Sequence, residues 1–124
     1  MKEKILFVNS CVRGDNESRT LALAKTALSR LDGDIEEIRL ADANLKPLDA
    51  AGLAKRAESA EKNDFSDPVY DCAKQFAACD TVVIAAPFWD YSFPALLKIY
   101  IEALCVGGLT FLYGSDGVPI SYCR

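Results

Sequence analysis

The run TVVIAA, Thr81 to Ala86, is apolar at every position after the first, and it restricts the fold more than any other feature of the chain. A strand that faces water on one side alternates polar and apolar residues. A run without alternation has to be covered on both faces, which is the situation of a parallel strand with helices above and below it. Ile5-Leu6-Phe7-Val8 has the same character near the N-terminus. The polar loop NSCVRGDNES follows it, and then Leu21, Ala24, Leu28 and Leu31 recur at helical spacing up to Asp32-Gly33, where a glycine suits a helix end. Ile35, Ile38 and Leu40 form a less regular pattern and predict a strand near a sheet edge. Residues 41–64 are rich in Ala, Lys and Glu with little apolar periodicity, and read as a surface excursion with room for one short helix. Asp67-Pro68 is a helix start, an N-cap followed by a first-turn proline, after which Val69, Cys72, Ala73 and Phe76 share a face. Ser92 is positioned to cap a last helix with Leu96, Leu97, Tyr100, Ile101 and Leu104 on its stripe, ending at Gly107-Gly108. Strand and helix thus alternate three times, the pattern of an α/β doubly wound parallel sheet. With 124 residues the chain has material for one core, so residues 1–124 read as a single domain.

Composition removes several function classes. The net charge is −4 and the Lys and Arg residues are scattered, so no electrostatic footprint for nucleic acid is present. Charges interrupt every apolar run before it reaches the length of a membrane span. Met1-Lys2-Glu3-Lys4 leads directly into strand-like sequence and leaves no room for a signal peptide. Cys11, Cys72, Cys79, Cys105 and Cys123 form no C-x-x-C pair and are odd in number, which predicts reduced thiols and a cytoplasmic protein. The chain contains no histidine, so Ser-His-Asp and Cys-His nucleophile systems and histidine metal sites are excluded. Chemistry, where it occurs, is expected to come from a cofactor.

Two loops follow strands and carry unusual side chains. In doubly wound sheets ligands bind outside the carboxyl ends of the strands, where strand order reverses, and these loops meet there if the first and third strands are neighbours. The first, NSCVRGDNESRT, brings backbone amides, the Ser18 and Thr20 hydroxyls and the Arg19 guanidinium to a helix N-terminus, a setting that suits phosphate. Equally, Asn16, Glu17 and Ser18 serve as ordinary helix caps, and Asp15 and Glu17 would repel an anion. No G-x-x-x-x-G-K-[ST] or G-x-G-x-x-G motif is present. Low-molecular-weight tyrosine phosphatases require Cys-x5-Arg, but the residue six after Cys11 is Glu17. Response-regulator receivers need an acidic pocket after the first strand, which Asn9-Ser10 does not supply. The second loop, PFWDYSFP from Pro87, presents the flat faces of Phe88, Trp89 and Tyr91. They fit a planar heteroaromatic ring, or else a core or dimer contact.

The segments ILFVNSCVRGDNESRTLALAKTAL and DTVVIAAPFWDYSFPALLKIYIEALCVGGLTFLYGSDGVP resemble the flavodoxin-like NAD(P)H quinone reductase and FMN-dependent NADH azoreductase family. That family reads P-M-Y-N-F-x-x-P after its third strand, then T-F-x-Y-x-x-x-G-P after the next helix. This chain has Pro87 to Pro94, then Thr110-Phe111 and Tyr113, and Lys46 to Asp49 (KPLD) matches the family's stretch after the second strand. The resemblance implies a flavodoxin-like fold and an FMN-dependent oxidoreductase. Its donor is NADH or NADPH, and two electrons pass to a quinone, azo compound or similar small-molecule acceptor. It implies that Cys11, Glu17, Ser18 and Arg19 surround the FMN phosphate and ribityl chain, and that Pro87, Phe88, Trp89, Asp90 and Tyr91 run beside the isoalloxazine ring. It also implies a homodimer, expected here to pack through Ile99 and Ala103 of the last helix. No catalytic acid or base can be nominated.

Two departures from the family pattern carry expectations of their own. Asp90 stands where asparagine is usual, so a side-chain donor to the flavin is lost or must come from the backbone. The chain also stops before the family's fourth and fifth strands, which reads as a truncated chain, a fragment, or a sheet completed by another subunit. Thr81 to Ala86 then becomes an exposed apolar edge. The alternative function is a flavin-binding or electron-transfer module without NAD(P)H turnover of its own.

Overall fold

Ile5, Leu6, Phe7 and Val8 are no more than 1% exposed in the computed structural model, which describes residues 2–123. Four consecutive buried side chains require cover on both faces, and β1 (Glu3–Asn9) is the central strand of a three-stranded sheet. It pairs in parallel with β2 (Gly33–Arg39) on one edge and β3 (Thr81–Ala85) on the other, Ile5 lying opposite both Ile35 and Thr81. The connection from β1 to β2 carries α1 (Arg19–Leu28). Because side chains alternate across a strand, Ile5 and Phe7 face one way, and they join Leu21, Ala24, Leu28 and Ala85 in a buried cluster. Leu6 and Val8 occupy the opposite face.

Contacts divide the chain into two compact units. The sheet and α1 belong to the first, formed by the chain up to Leu45 together with Cys79–Lys98. The second, Lys46–Ala78 with the chain from Ile99 onward, holds α2 (Ala50–Lys62), α3 (Asp71–Ala78) and the greater part of α4 (Ala95–Leu104). It also holds a hairpin of β4 (Phe111–Tyr113) and β5 (Pro119–Ser121). Tyr70, Ala73 and Val106 form its buried centre, with Phe65 and Leu109 packed against them. The Tyr70 hydroxyl donates to Ser59 Oγ at 2.7 Å, so even the polar end of this buried ring is satisfied. Arg56 donates to the Glu102 and Cys105 carbonyls at 2.8 and 3.2 Å, occupying acceptors that a helix C-terminus leaves open. Among the described residues no helix is long and apolar enough to cross a membrane.

Several expectations need correction. The first helix stops at Leu28, with Ser29 as C-cap, and Leu31 is exposed. Gly33 is not a helix end but the first residue of β2. A Cβ there would lie 2.5 Å from the Glu3 carbonyl oxygen and 2.8 Å from Ile5 Cδ1, so glycine lets the two strands approach. Residues 41–64 are indeed superficial, yet α2 runs for 13 residues without burying one of them. Polar contacts hold it instead: beside the Arg56 and Ser59 bonds, the Asp49 carboxylate accepts from the Gly52 amide at 2.8 Å, and Asn63 closes the helix in the left-handed conformation. Asp67 caps as expected, but its first turn is a 3₁₀ turn (Pro68–Tyr70), which rotates the following face. Tyr70 is therefore buried and Val69 exposed. β3 is covered less than its composition predicts: Val82 and Val83 are half-buried and Ile84 is 50% exposed, because β3 is an edge of this sheet. That apolar edge was itself an expectation, and so was the edge position of β2. The β4–β5 hairpin was not foreseen.

Candidate functional site

The carboxyl ends of β1 and β3 are tied together by one residue. Buried Ser10 donates both its amide and its hydroxyl to the Ala85 carbonyl, at 3.0 and 2.7 Å. The two loops that follow these strands therefore leave the sheet side by side. The Asn9 carboxamide accepts from the Cys11 amide at 3.0 Å and turns the chain out of the strand. Farther on, the Gly14 carbonyl accepts from the amides of Glu17 and Ser18, at 2.9 and 3.2 Å, and aims the chain into α1. Ser18 is the N-cap: its Oγ accepts from the Leu21 amide at 3.1 Å. The first intrahelical bond runs from the Ala22 amide to the Ser18 carbonyl. The amides of Arg19 and Thr20 have no protein acceptor among the described residues. A partial positive charge collects there.

The second loop is a tight turn. The amides and carbonyls of Trp89 and Ser92 bond reciprocally at 2.8 Å, so Ser92 is engaged here and does not cap α4, which begins after buried Pro94. Between them Asp90 and Tyr91 have φ of 50° and 63°. Two successive positive φ values define a type I′ turn, where Asn-Gly is the favoured pair. A non-glycine residue in this region costs on the order of 1–2 kcal/mol, and aspartate tolerates it better than tyrosine. Tyr91 is 94% exposed, and its ring meets Phe88 edge to face, with centroids 6.1 Å apart and planes at 86°.

Together the loops enclose a cleft of about 510 Å³, within the roughly 300–1,000 Å³ range of small-molecule sites. Cys11, Val12, Arg13, Glu17, Ser18, Arg19 and Thr20 line it from the first loop, and Pro87, Phe88 and Trp89 from the second. One wall thus offers free amides, two hydroxyls and two guanidinium groups, and the other offers flat apolar surface. Asp15 is not part of the lining. It pairs with Arg39 at 2.6 Å and Lys25 at 3.4 Å, and the Arg39 hydrogen bond above all holds its carboxyl below the usual range. Half of the acidic repulsion expected from the sequence is thereby neutralised away from the cleft. Glu17 is the one carboxylate that remains among the lining residues. The Cys11 thiol reaches the Ala85 carbonyl at 3.9 Å, a long contact, and Cys11 is part of the cleft lining. Among the described residues no group of acidic, Cys or His side chains could hold a metal ion. This arrangement suits a ligand with an anionic end and a planar end.

Seven of the nine residues proposed from the sequence line the cleft: Cys11, Glu17, Ser18, Arg19, Pro87, Phe88 and Trp89. Asp90 and Tyr91 sit at the tip of the turn beside it and do not. Val12 and Arg13 were missed, and Thr20 was noted only as a hydroxyl near the helix start. Arg13 had a readable signal, a second cation in the same loop, six residues before Arg19.

A family profile described as Flavodoxin-like fold matches residues 3–122. An FMN-dependent NADH:quinone oxidoreductase 2 of Clostridium acetobutylicum is 36% identical, over 98% of this chain and 62% of that protein. An FMN-dependent NADH:quinone oxidoreductase of Clostridium perfringens is 31% identical, over 92% of this chain and 60% of that one. Among solved structures, the azoreductase from Bacillus anthracis str. Sterne superposes with a TM-score of 0.72 at 25% identity, covering 95% of this chain and 62% of that one. The chain spans about 60% of the length of these relatives.

Proposed function

This chain belongs to the flavodoxin-like fold family, and on that premise we propose that its cleft binds FMN and that the protein is an FMN-dependent oxidoreductase. Electrons would come from a nicotinamide donor, NADH by analogy with the named relatives, and pass to a quinone, azo compound or similar small molecule. The observation that carries this reading is the pairing within one cleft of the open α1 N-terminus with an aromatic wall.

The fit can be stated group by group. The Arg19 and Thr20 amides, the Ser18 hydroxyl proton and the Arg13 and Arg19 side chains would hold a phosphate. Glu17, an acceptor, suits the hydroxyls of a ribityl chain. Pro87, Phe88 and Trp89 would lie along the isoalloxazine ring. Bound FMN supplies the two-electron chemistry, and the protein binds it, orients it and limits water.

Purified protein is expected to be yellow or to take up FMN at micromolar concentration. Anaerobic NADH should then bleach the flavin absorbance, with NADPH tested beside it. Failure to bind FMN would refute the reading. Binding with a persistent oxidised spectrum would support the alternative, an electron-transfer module without its own turnover.

The same reading includes a cytoplasmic homodimer. All five cysteines are free thiols, in keeping with a reducing compartment. Ile99 and Ala103 are only half-buried in the isolated chain, which leaves apolar surface on α4 for a second copy. Sedimentation at micromolar concentration should give a dimer that Ile99→Glu dissociates; a folded wild-type monomer would end the dimer assignment.

A further inference from the structure

Tyr91 presents a physical contradiction. Among the described residues four non-glycine positions have positive φ: Asn44, Asn63, Asp90 and Tyr91. The first three are of the types that enter this region with least strain, because their short polar side chains bond locally. A tyrosine gains nothing of that kind. At 94% exposure the residue also gains little from burial within this chain, so neither its backbone nor this chain's core accounts for it. Glycine would relieve the strain at this position of a type I′ turn and is the residue such turns favour.

What the ring does touch is Phe88. The edge-to-face contact at 6.1 Å and 86° is the ring contact of Phe88 among the described residues. Phe88 lines the cleft, yet it is itself 76% exposed, with little packing to fix its rotamer. The turn brings the two together. Reciprocal bonds between Trp89 and Ser92 close it, and the positive φ at residue 91 sets where the Tyr91 side chain leaves the backbone.

We infer that Tyr91 is a positioning residue: its ring braces Phe88 as a wall of the cleft, and the strained turn exists to hold that brace in place. It acts on a bound ligand through Phe88. This assignment rests on the FMN reading for its functional consequence but not for its structural one. Sites held by a strained backbone trade stability for a prearranged wall, so removing the ring and the strain together should move stability and binding in opposite directions.

The test compares wild type, Tyr91→Gly and Tyr91→Phe in the full chain. Tyr91→Gly should raise the unfolding midpoint by about 2–6 °C, since glycine adopts this φ freely and the unfolded-state entropy loss offsets only part of the gain. It should also weaken FMN binding by about three- to tenfold, the scale of one aromatic pair. Tyr91→Phe keeps both ring and strain, and should match wild type in both measurements. A third readout needs no flavin: ring–ring NOEs between Phe88 and Tyr91 in wild type, and averaging of the Phe88 ring signals in Tyr91→Gly. An unchanged Phe88 ring in Tyr91→Gly, or a Tyr91→Phe variant as impaired as the glycine one, would overturn the inference. If no variant binds FMN but the midpoint rises and Phe88 loses order, the flavin reading falls and the positioning role stands.

Discussion

Replacing Ser18 by aspartate is expected to leave the fold nearly as stable as before and to weaken FMN binding by about 100-fold or more. Ser18 does two jobs in the structure: its oxygen caps α1 by accepting from the Leu21 amide, and its hydroxyl proton remains for a ligand. Aspartate is as good an N-cap as serine, and a negative charge at this end of a helix is favourable. The cap therefore survives while a carboxylate enters the place assigned to a phosphate. Two unit charges 4 Å apart interact by about 1 kcal/mol in bulk water and about 4 kcal/mol near a protein surface. Losing a hydrogen bond to a charged group adds about 1.5–3 kcal/mol. With the near-surface figure these exceed about 5 kcal/mol, and even the bulk-water figure brings the sum to about 2.5 kcal/mol, close to 100-fold in Kd. Ser18→Ala separates the roles differently: the lost cap lowers stability by about 1 kcal/mol, while the lost hydrogen bond alone weakens binding by about 1.5–3 kcal/mol. Thermal unfolding and flavin titration of both variants measure these effects. Wild-type affinity in the aspartate variant would mean that no anion sits at the start of α1.

Phe7→Ala is expected to lower unfolding stability by about 3–5 kcal/mol, as truncation of a buried aromatic residue does. Phe7 is 1% exposed, stands on the central strand between both parallel neighbours, and contributes the largest ring to the cluster with Leu21, Leu28 and Ala85. Domains are stable by only about 5–15 kcal/mol in total, so this one change removes a large share of the margin. Leu23→Ala on the outer face of α1, at 72% exposure, is the matched control and should stay within about 0.5 kcal/mol. Urea unfolding of the two variants provides the measurement. A Phe7→Ala effect below about 1 kcal/mol would contradict the central placement of β1.

The three parallel strands, the order of the elements that join them and the main part of the cleft were legible in the sequence because their signals are local. ILFV and VVIAA lack alternation, Asp67-Pro68 caps a turn, and loops that follow parallel strands must open at one end of the sheet. Residue types then identify which wall is polar and which is flat. The sequence could not show which face Tyr70 and Val69 present, because a single 3₁₀ turn shifts the phase of everything after it. Nor could it show why Gly33 is glycine, which depends on the carbonyl of a residue thirty positions away. Arg56 looks like one more charge on a polar helix until the end of α4 arrives beside it. The tip of the aromatic loop is the sharpest case. The residue types of this loop mark a flat surface, but only the folded chain puts Tyr91 at the tip of a turn at positive φ, with Phe88 and Trp89 lining the cleft. Periodicity and capping act over a few residues and are written in the chain itself. Register, close approach and turn handedness arise only when distant segments meet, and the tertiary structure alone decides them.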